Sequence, residues 1–334
     1  MAWPTRAAAA LPEGAFAAVM ATGIVSLASK DELPLISGVL LGVAMAMLVV
    51  LAGLAVARPR AHGSRAGWWD AVTFVAGTGS VAAGFAARGE ADVAHTLEIL
   101  TIVAWVPMIL RPVPWTRAGG RRQGDEASGR RLLVIVATQS AVISAAALDR
   151  PAASSVLAVA AAVGWVVALA LHVRLARPIA RGLFLRRQRG RFRADDWILM
   201  GVLAISVLAA SELLQAPDVP ARAGVRVVGL AAWAGACLWI PLLARVDIVC
   251  AVGRRPSLPD ALRWSMVFPF GMFAASSQAL GRAAGHPWIH RVGLDATWVA
   301  LAAWAVVALG IAGGAVAGRV GAAASGLDGG QLPE

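Results

Sequence analysis

Residues 264–281 read WSMVFPFGMFAASSQALG, a segment of membrane-spanning length with a proline at its middle. Two phenylalanines, Phe268 and Phe270, flank this proline, Pro269, and Gly271 follows directly. A proline removes one backbone hydrogen bond and bends a helix, and in a membrane it is tolerated where neighbouring helices or cavity water satisfy the freed carbonyl group. The segment therefore predicts a helix that lines an internal path, and not one that only contacts lipid.

The composition of the whole chain is typical of a polytopic membrane protein. Of its 334 residues, 59% are hydrophobic and 15% are charged, whereas soluble domains average about 45–50% apolar and about 25% charged residues. The start of the chain lacks the basic region, short apolar core and cleavage site of a signal peptide, so we expect the first apolar stretch to remain as a transmembrane helix. The net charge of +11 is interpreted as a determinant of topology and not as a sign of nucleic-acid binding.

A membrane-spanning helix needs about 20 mostly apolar residues, and ten segments of the chain approach this length. They lie near residues 13–29, 33–57, 70–87, 93–111, 131–149, 153–175, 196–215, 224–246, 260–282 and 292–318. The sequence therefore predicts an all-α polytopic membrane protein, with a single ten-helix transmembrane domain over residues 1–320 and a disordered cytoplasmic tail over residues 321–334.

Lysines and arginines are distributed unequally between the two sides of these spans. Of the 30 in the chain, one side receives only Lys30, Arg88, Arg150, Arg222, Arg226, Arg282 and Arg291. Cytoplasmic loops are enriched in basic residues, so both termini are predicted to be cytoplasmic and the number of spans to be even. The most basic stretch, residues 181–193, is expected either to contact anionic lipid headgroups or only to fix the topology.

Polar residues within the spans follow a similar alternation. The odd-numbered spans carry hydroxyl, amide and glycine positions at depth, and eight of these are candidates for the lining of a path: Thr22, Gly23, Thr78, Gly79, Gln139, Ser140, Ser144 and Ser206. The even-numbered spans are mostly alanine, valine, leucine and isoleucine in their middles. We therefore expect five odd helices around a polar path and five even helices outside them; the alternative is that small and hydroxyl residues only let the helices pack closely.

The predicted path carries no charged residue at mid-depth. Glu98 and Glu212 fall near the outer ends of their spans, and proton-coupled pumps usually need buried ionisable relays. A lumen of hydroxyls and backbone dipoles with a hydrophobic constriction favours passive conduction, and the basic cytoplasmic rim favours an anionic solute. The sequence shows no nucleophile–base pair, zinc motif or phosphate loop, so neither enzyme chemistry nor a metal or other cofactor is predicted.

The motif W-x-x-x-F-P-x-G-x-F, from Trp264 to Phe273, resembles the ninth span of the tellurite-resistance/dicarboxylate transporter family. The stretch from Leu11 to Ala28 is similar to the first helix of that family, with P-x-G-x-F followed by S-L-A. The family includes bacterial tellurite-resistance membrane proteins, fungal malate and sulfite transporters and plant slow-type anion channels. The ten-span layout matches as well, so the resemblance covers nearly the whole chain.

The resemblance implies five helical hairpins in a quasi-fivefold ring around a central pore, assembled as a homotrimer in the cell membrane. It also implies that a phenylalanine on the ninth helix plugs each pore. By this resemblance, the plug is assigned to Phe268, with Phe270 as the alternative. Ala17 corresponds to the small residue of the first helix that faces the plug in the family. Pro269 and Gly271 are included in the predicted lining.

Two transport functions remain open at this point. The first is an anion channel or channel-like transporter that passes small inorganic or dicarboxylate anions. The second is a secondary carrier for C4-dicarboxylates, sulfite or tellurite-related oxyanions, with or without proton coupling. A membrane enzyme is disfavoured because no titratable cluster is expected to face the lumen.

Overall fold

The described part of the chain is entirely helical, apart from turns. The structure is a computed structural model that describes residues 14–57, 65–110, 129–152, 155–184, 193–216, 218–251 and 263–328. These ranges contain ten long α-helices and no strand: α1 Phe16–Ala28, α2 Pro34–Ala57, α3 Arg65–Ala86, α4 Ala91–Leu110, α5 Leu133–Ala152, α6 Ser155–Phe184, α7 Ile198–Gln215, α8 Arg222–Ala251, α9 Trp264–Ala283 and α10 Pro287–Asp328. Short 3₁₀ turns, Gly129–Leu132 and Ala194–Trp197, precede α5 and α7. The all-α fold predicted from the sequence is confirmed.

Seven of the described helices are long and apolar enough to cross a membrane, so the chain is an integral membrane protein. The other three are α1, α3 and α9. Helix α1 has only 13 residues, whereas α3 and α9 have sufficient length but lower hydropathy. The glycines and hydroxyls that identified α3 and α9 as candidates for lining also make them less apolar.

Two of the predictions, the C-terminal tail and the basic stretch, concern residues that the structure describes only in part. Helix α10 is assigned through Asp328, so the predicted boundary at residue 321 does not coincide with a helix end, and residues 329–334 lie outside the described ranges. Most of the basic stretch 181–193 also lies outside them. The division into one domain and a tail stays a prediction.

The helices form two layers that differ in burial. In their most apolar stretches, α5 and α7 are 78% and 89% buried, whereas α2, α4, α6, α8 and α10 are only 17–33% buried. Helix α1 packs against α3 and α9, α3 packs against α5, and α7 packs against both α5 and α9. Each even helix packs on the odd helix that precedes it. The buried layer is therefore made of odd helices, and the even helices cover it.

A tertiary hydrogen bond fixes the start of α1. Gly14 has a positive φ of 74°, a conformation that glycine adopts without the steric penalty of a side chain. Its N–H group donates to Oδ1 of Asp70 at 2.8 Å. Because Asp70 belongs to α3, this bond sets where α1 enters the helix bundle relative to α3.

Glycines allow α9 to lie very close to its neighbours. A Cβ atom on Gly293 of α10 would lie 2.6 Å from the backbone nitrogen of Gln278 and 2.8 Å from the carbonyl oxygen of Ala274. Gln278 is buried and its Nε2 donates to the carbonyl oxygen of Ala28 at 2.9 Å and to Thr297 Oγ1 at 3.0 Å. Helix α9 is thus hydrogen-bonded to both α1 and α10 near its C-terminal end.

Candidate functional site

A large cavity lies between the C-terminal ends of the odd helices. It has a volume of about 610 Å³ and is called the vestibule here. Its lining includes small residues of α3 and α9, together with these polar and charged residues: Lys30, Asp31, Glu98, Ser144, Glu212, Gln215, Gln278 and Arg282. Their positions at the ends of the odd helices place the mouth of the vestibule on the side opposite the predicted cytoplasmic loops.

A much smaller void adjoins the vestibule and is called the constriction. Its volume is about 10 Å³, which is near the minimum for one water molecule. Every odd helix contributes to its lining, which is made of Ile24, Ala76, Gly79, Ser80, Ala83, Ser140, Ile143, Ile205, Leu208, Phe268 and Met272. Most of these side chains are apolar, so the constriction is an almost closed hydrophobic layer at the floor of the vestibule.

The two candidate plug residues lie on different sides of α9. Phe268 lines the constriction and is only 1% exposed. Phe270 contacts Trp197 at the start of α7, with ring centroids 4.8 Å apart, and lines neither cavity. The geometry therefore separates two phenylalanines that the sequence pattern left as alternatives.

Three other predicted lining residues reach these spaces. Gly79 lines both the vestibule and the constriction, Ser140 lines the constriction, and Ser144 lines the vestibule. Ser144 is 1% exposed, and its Oγ has no hydrogen-bond partner among the described residues. A buried hydroxyl without a partner costs about 1–3 kcal/mol, so this oxygen is available to water or a solute in the vestibule.

Four predicted lining residues form hydrogen bonds within the helix bundle and line neither cavity. Thr22 accepts a hydrogen bond from Trp304 Nε1 at 3.0 Å, and Thr78 donates to the carbonyl oxygen of Phe74 in its own helix. Gln139 Nε2 donates to Ser206 Oγ at 2.9 Å, which links α5 to α7. For these four residues the alternative interpretation, close helix packing, describes the geometry better.

The remaining predicted lining residues are small or cyclic and lie at helix contacts. A Cβ on Gly23 would lie 2.8 Å from Ser80 Oγ, and one on Gly271 would lie 2.8 Å from a methyl group of Ile24.

Pro269 fills the space beside Gly201 of α7, and Ala17 is buried without lining either cavity. Ile24, and not Ala17, is the α1 residue that lines the constriction together with Phe268.

We expect Thr22→Val to weaken the contact between α1 and α10 without changing which solutes pass. Valine has nearly the shape of threonine but cannot accept the hydrogen bond from Trp304. Interhelical hydrogen bonds in membrane proteins contribute about 0.6 kcal/mol on average. A double-mutant cycle with Trp304→Phe, measured by unfolding in mixed micelles, should give a coupling energy of that size. A zero coupling energy with altered solute selectivity would instead indicate that Thr22 faces the path.

The sequence predicted no buried carboxylate in the lining of the path, but Glu98 is one. It is 3% exposed and lines the vestibule, although it belongs to the even helix α4. Helix α4 packs against α3 and α5, and this packing brings Glu98 into the lining of the vestibule. The signal in the sequence was a carboxylate within an apolar span, which is expensive and often functional.

The other charged groups of the vestibule are grouped near its mouth. Arg282 contacts Asp31 at 2.7 Å, and Lys30 lies 3.6 Å from the same carboxylate. All three side chains are substantially exposed to solvent. Glu212 lies near the C-terminal end of α7. The lining therefore combines two cationic side chains with three carboxylates, and Glu98 is the most deeply buried carboxylate among them.

Comparison with known proteins gives one family and two relatives. A family model described as SLAC1, voltage-dependent anion channel, matches residues 11–312. Two uncharacterized membrane proteins of Mycobacterium tuberculosis, from strains CDC 1551 / Oshkosh and H37Rv, are each 35% identical to this chain over 117 residues. That match covers 33% of this chain and 58% of each relative. The family match confirms the resemblance inferred from the motifs in the first and ninth spans.

Proposed function

We propose, since the chain belongs to the family of voltage-dependent anion channels, that it passes small anions through a pore gated by Phe268. The observation that carries this proposal is the constriction, a void of about 10 Å³ to which all five odd helices contribute and which adjoins a vestibule of about 610 Å³. A hydrophobic layer of this kind closes a pore by occlusion or dewetting. The family assignment supports transport over catalysis.

The helix contacts support a quasi-fivefold architecture for this pore. Odd helices contact one another in the order α1, α3, α5, α7, α9 and back to α1, and each carries an even partner on its outside. We propose that these five hairpins form the ring that the family resemblance implies. Gly79, Ser140 and Ser144 then supply small or hydroxyl-bearing positions along the path.

The proposed setting is the cell membrane, with both termini in the cytoplasm and subunits assembled as a homotrimer. Exposed large hydrophobic residues cover the even helices, including Leu35 on α2, Val156 on α6 and Leu309 on α10. Such apolar faces suit contact with membrane lipids or with other subunits. The distribution of arginines supports the orientation.

Buried Glu98 favours the second candidate, a proton-coupled carrier for C4-dicarboxylates, sulfite or tellurite-related oxyanions. Ionisable residues within membrane proteins commonly serve as proton relays, and Glu98 lines the vestibule at depth. A channel needs no such relay. The two candidates differ in whether a proton gradient drives accumulation of the solute.

A panel of anions in proteoliposomes tests both candidates. The purified protein is reconstituted, and uptake of chloride, nitrate, sulfite and malate is measured with and without an imposed pH gradient. A channel gives flux that follows the electrochemical gradient of the anion and does not saturate at low concentration. A proton-coupled carrier gives saturable accumulation that is lost when the pH gradient is removed. Absence of flux for every anion in the panel would contradict the proposed function.

A further inference from the structure

We propose that the mouth of the vestibule is a docking site for anions with two or more oxygens, formed by Arg282 and Lys30 and occupied by the carboxylate of Asp31 when no solute is bound. Anions of this class include carboxylates and planar oxyanions such as nitrate. The inference rests on the proposed function, since it concerns where a permeating anion first binds. All three residues line the vestibule.

The two cationic side chains reach the mouth from different parts of the chain. Arg282 lies in the last turn of α9, whereas Lys30 belongs to the turn between α1 and α2. The Nζ atom of Lys30 donates a hydrogen bond to the carbonyl oxygen of Ala87, directly after α3, at 3.1 Å. This bond holds the ammonium group of Lys30 at the mouth, so that two positive charges from separate helices lie beside one carboxylate.

Asp31 shows how an anion can bind between these cations. Its Oδ2 accepts a hydrogen bond from Nη1 of Arg282 at 2.7 Å, and its Oδ1 lies 3.6 Å from Nζ of Lys30. One carboxylate oxygen is therefore directed to each cation. The side chains of Lys30, Asp31 and Arg282 are 33%, 34% and 52% exposed. Ion pairs with this exposure contribute little to stability, so an anion from solution can displace Asp31.

A free oxyanion can bind Arg282 more completely than Asp31 does. A guanidinium group carries five N–H donors in a planar fork that matches two oxygens of one carboxylate or oxyanion. In the described part of the chain, only Nη1 of Arg282 donates a hydrogen bond, and it donates to a single oxygen of Asp31. A solute that is free to turn can accept two parallel hydrogen bonds, whereas a halide ion has no second oxygen. The site therefore favours oxyanions and carboxylates over halides.

Asp31 acts as a competitor within the chain for every anion that enters. An incoming anion displaces its carboxylate, and the return of that carboxylate releases the anion into the vestibule. Glu98 and Glu212 also line this vestibule, but nitrate and chloride each carry one negative charge, so other carboxylates act on both ions alike. A comparison of nitrate with chloride therefore isolates the geometry of the site from the net charge of the vestibule.

The test compares nitrate and chloride conductance in planar bilayers, with the anion supplied on the vestibule side. Arg282→Lys keeps the positive charge and removes the fork, so we expect the nitrate-to-chloride conductance ratio to fall about fivefold while chloride conductance stays near that of the wild type. Asp31→Asn removes the competing carboxylate, so nitrate conductance at low concentration should rise, and by more than chloride conductance. The difference in hydration between the two ions is the same for every variant.

The first helical turns of α10 offer a matched control pair. Arg291 and Asp295 lie 3.4 Å apart, both are exposed, and neither lines the vestibule. Arg291→Lys and Asp295→Asn should therefore leave the conductance ratio unchanged. Glu212→Gln removes one negative charge from the vestibule without altering the ion pair of Asp31, so it should change nitrate and chloride conductance by the same factor.

A binding measurement in detergent separates the docking site from transport. A bound ligand raises the melting temperature, so the wild type should exceed Arg282→Lys in melting temperature by more in sodium nitrate than in sodium chloride. If anion current is present but neither Arg282→Lys nor Asp31→Asn changes the conductance ratio, the docking site is wrong while the proposed function stands. If no anion carries current through the wild type or through Phe268→Ala, the proposed function is wrong, and equal melting differences in the two salts would then contradict the docking site as well.

Discussion

Phe268→Ala is expected to raise anion conductance by about tenfold or more, because Phe268 lines the constriction of the proposed pore. The constriction around it has a volume of only about 10 Å³, which is too small for a hydrated anion and barely sufficient for one water molecule. Removing the phenyl ring lets water enter the hydrophobic layer and so lowers the barrier, and each factor of ten corresponds to about 1.4 kcal/mol. Single-channel or macroscopic current in planar bilayers measures the change.

Phe270→Ala is the matched control for this experiment. It removes the same number of atoms two residues further along α9, but Phe270 contacts Trp197 and lines neither cavity. Its conductance should stay near that of the wild type. Alanine at a buried phenylalanine commonly costs about 3–5 kcal/mol of stability, so the thermal stability of both variants in detergent is measured alongside. Equal currents through the two variants would contradict the assignment of Phe268 as the gate.

Gly293→Ala should destabilise the protein by about 2 kcal/mol. The added Cβ would lie 2.6 Å from the backbone nitrogen of Gln278 and 2.8 Å from the carbonyl oxygen of Ala274. Backbone atoms cannot move aside as a flexible side chain can, so α10 must shift away from α9, and overpacking typically costs about 1–3 kcal/mol. The preference of helices for alanine over glycine, about 1 kcal/mol, opposes this cost without cancelling it.

Gly313→Ala, in the same helix, separates packing from helix propensity. A Cβ at Gly313 meets no atom within 4 Å, so this substitution should leave the melting temperature unchanged or raise it slightly. Thermal unfolding of the two variants in detergent gives the comparison. A similar melting temperature for both variants would mean that α9 and α10 do not approach as closely as their contact at Gly293 requires.

The motif in the ninth span places Phe268 at the constriction, while its role as a gate stays a proposal. Phe268 and Pro269 belong to a motif with a recognisable spacing, and Phe268 lines the constriction. Polarity also distinguishes the odd helices, since the hydroxyl side chains of α5 and α7 are buried with their helices. Polarity does not specify which neighbour a buried polar group will face. Gln139 is buried like Ser140, but it bonds to Ser206 across a helix contact.

Two parts of the site required the three-dimensional arrangement. The apolar wall of the constriction, such as Ile24 and Ile205, has the composition of any helix core and carries no pattern that separates lining from packing. Glu98 belongs to an even span, and it reaches the vestibule through the packing of α4 against α3 and α5. Contacts between residues distant in the chain, and not the local pattern around Glu98, determine this position.

The contrast between a wide vestibule and a thin constriction also determines where the membrane voltage acts. In the proposed pore, a vestibule of about 610 Å³ that fills with water would conduct almost like the bulk solution, so little of the transmembrane potential would fall across it. Most of the potential would fall across the apolar layer around Phe268, where one elementary charge gains about 2.3 kcal/mol for each 100 mV. Electrical work on a permeating ion would therefore be concentrated within a few side chains, while the vestibule would set the local ion concentration at nearly constant potential.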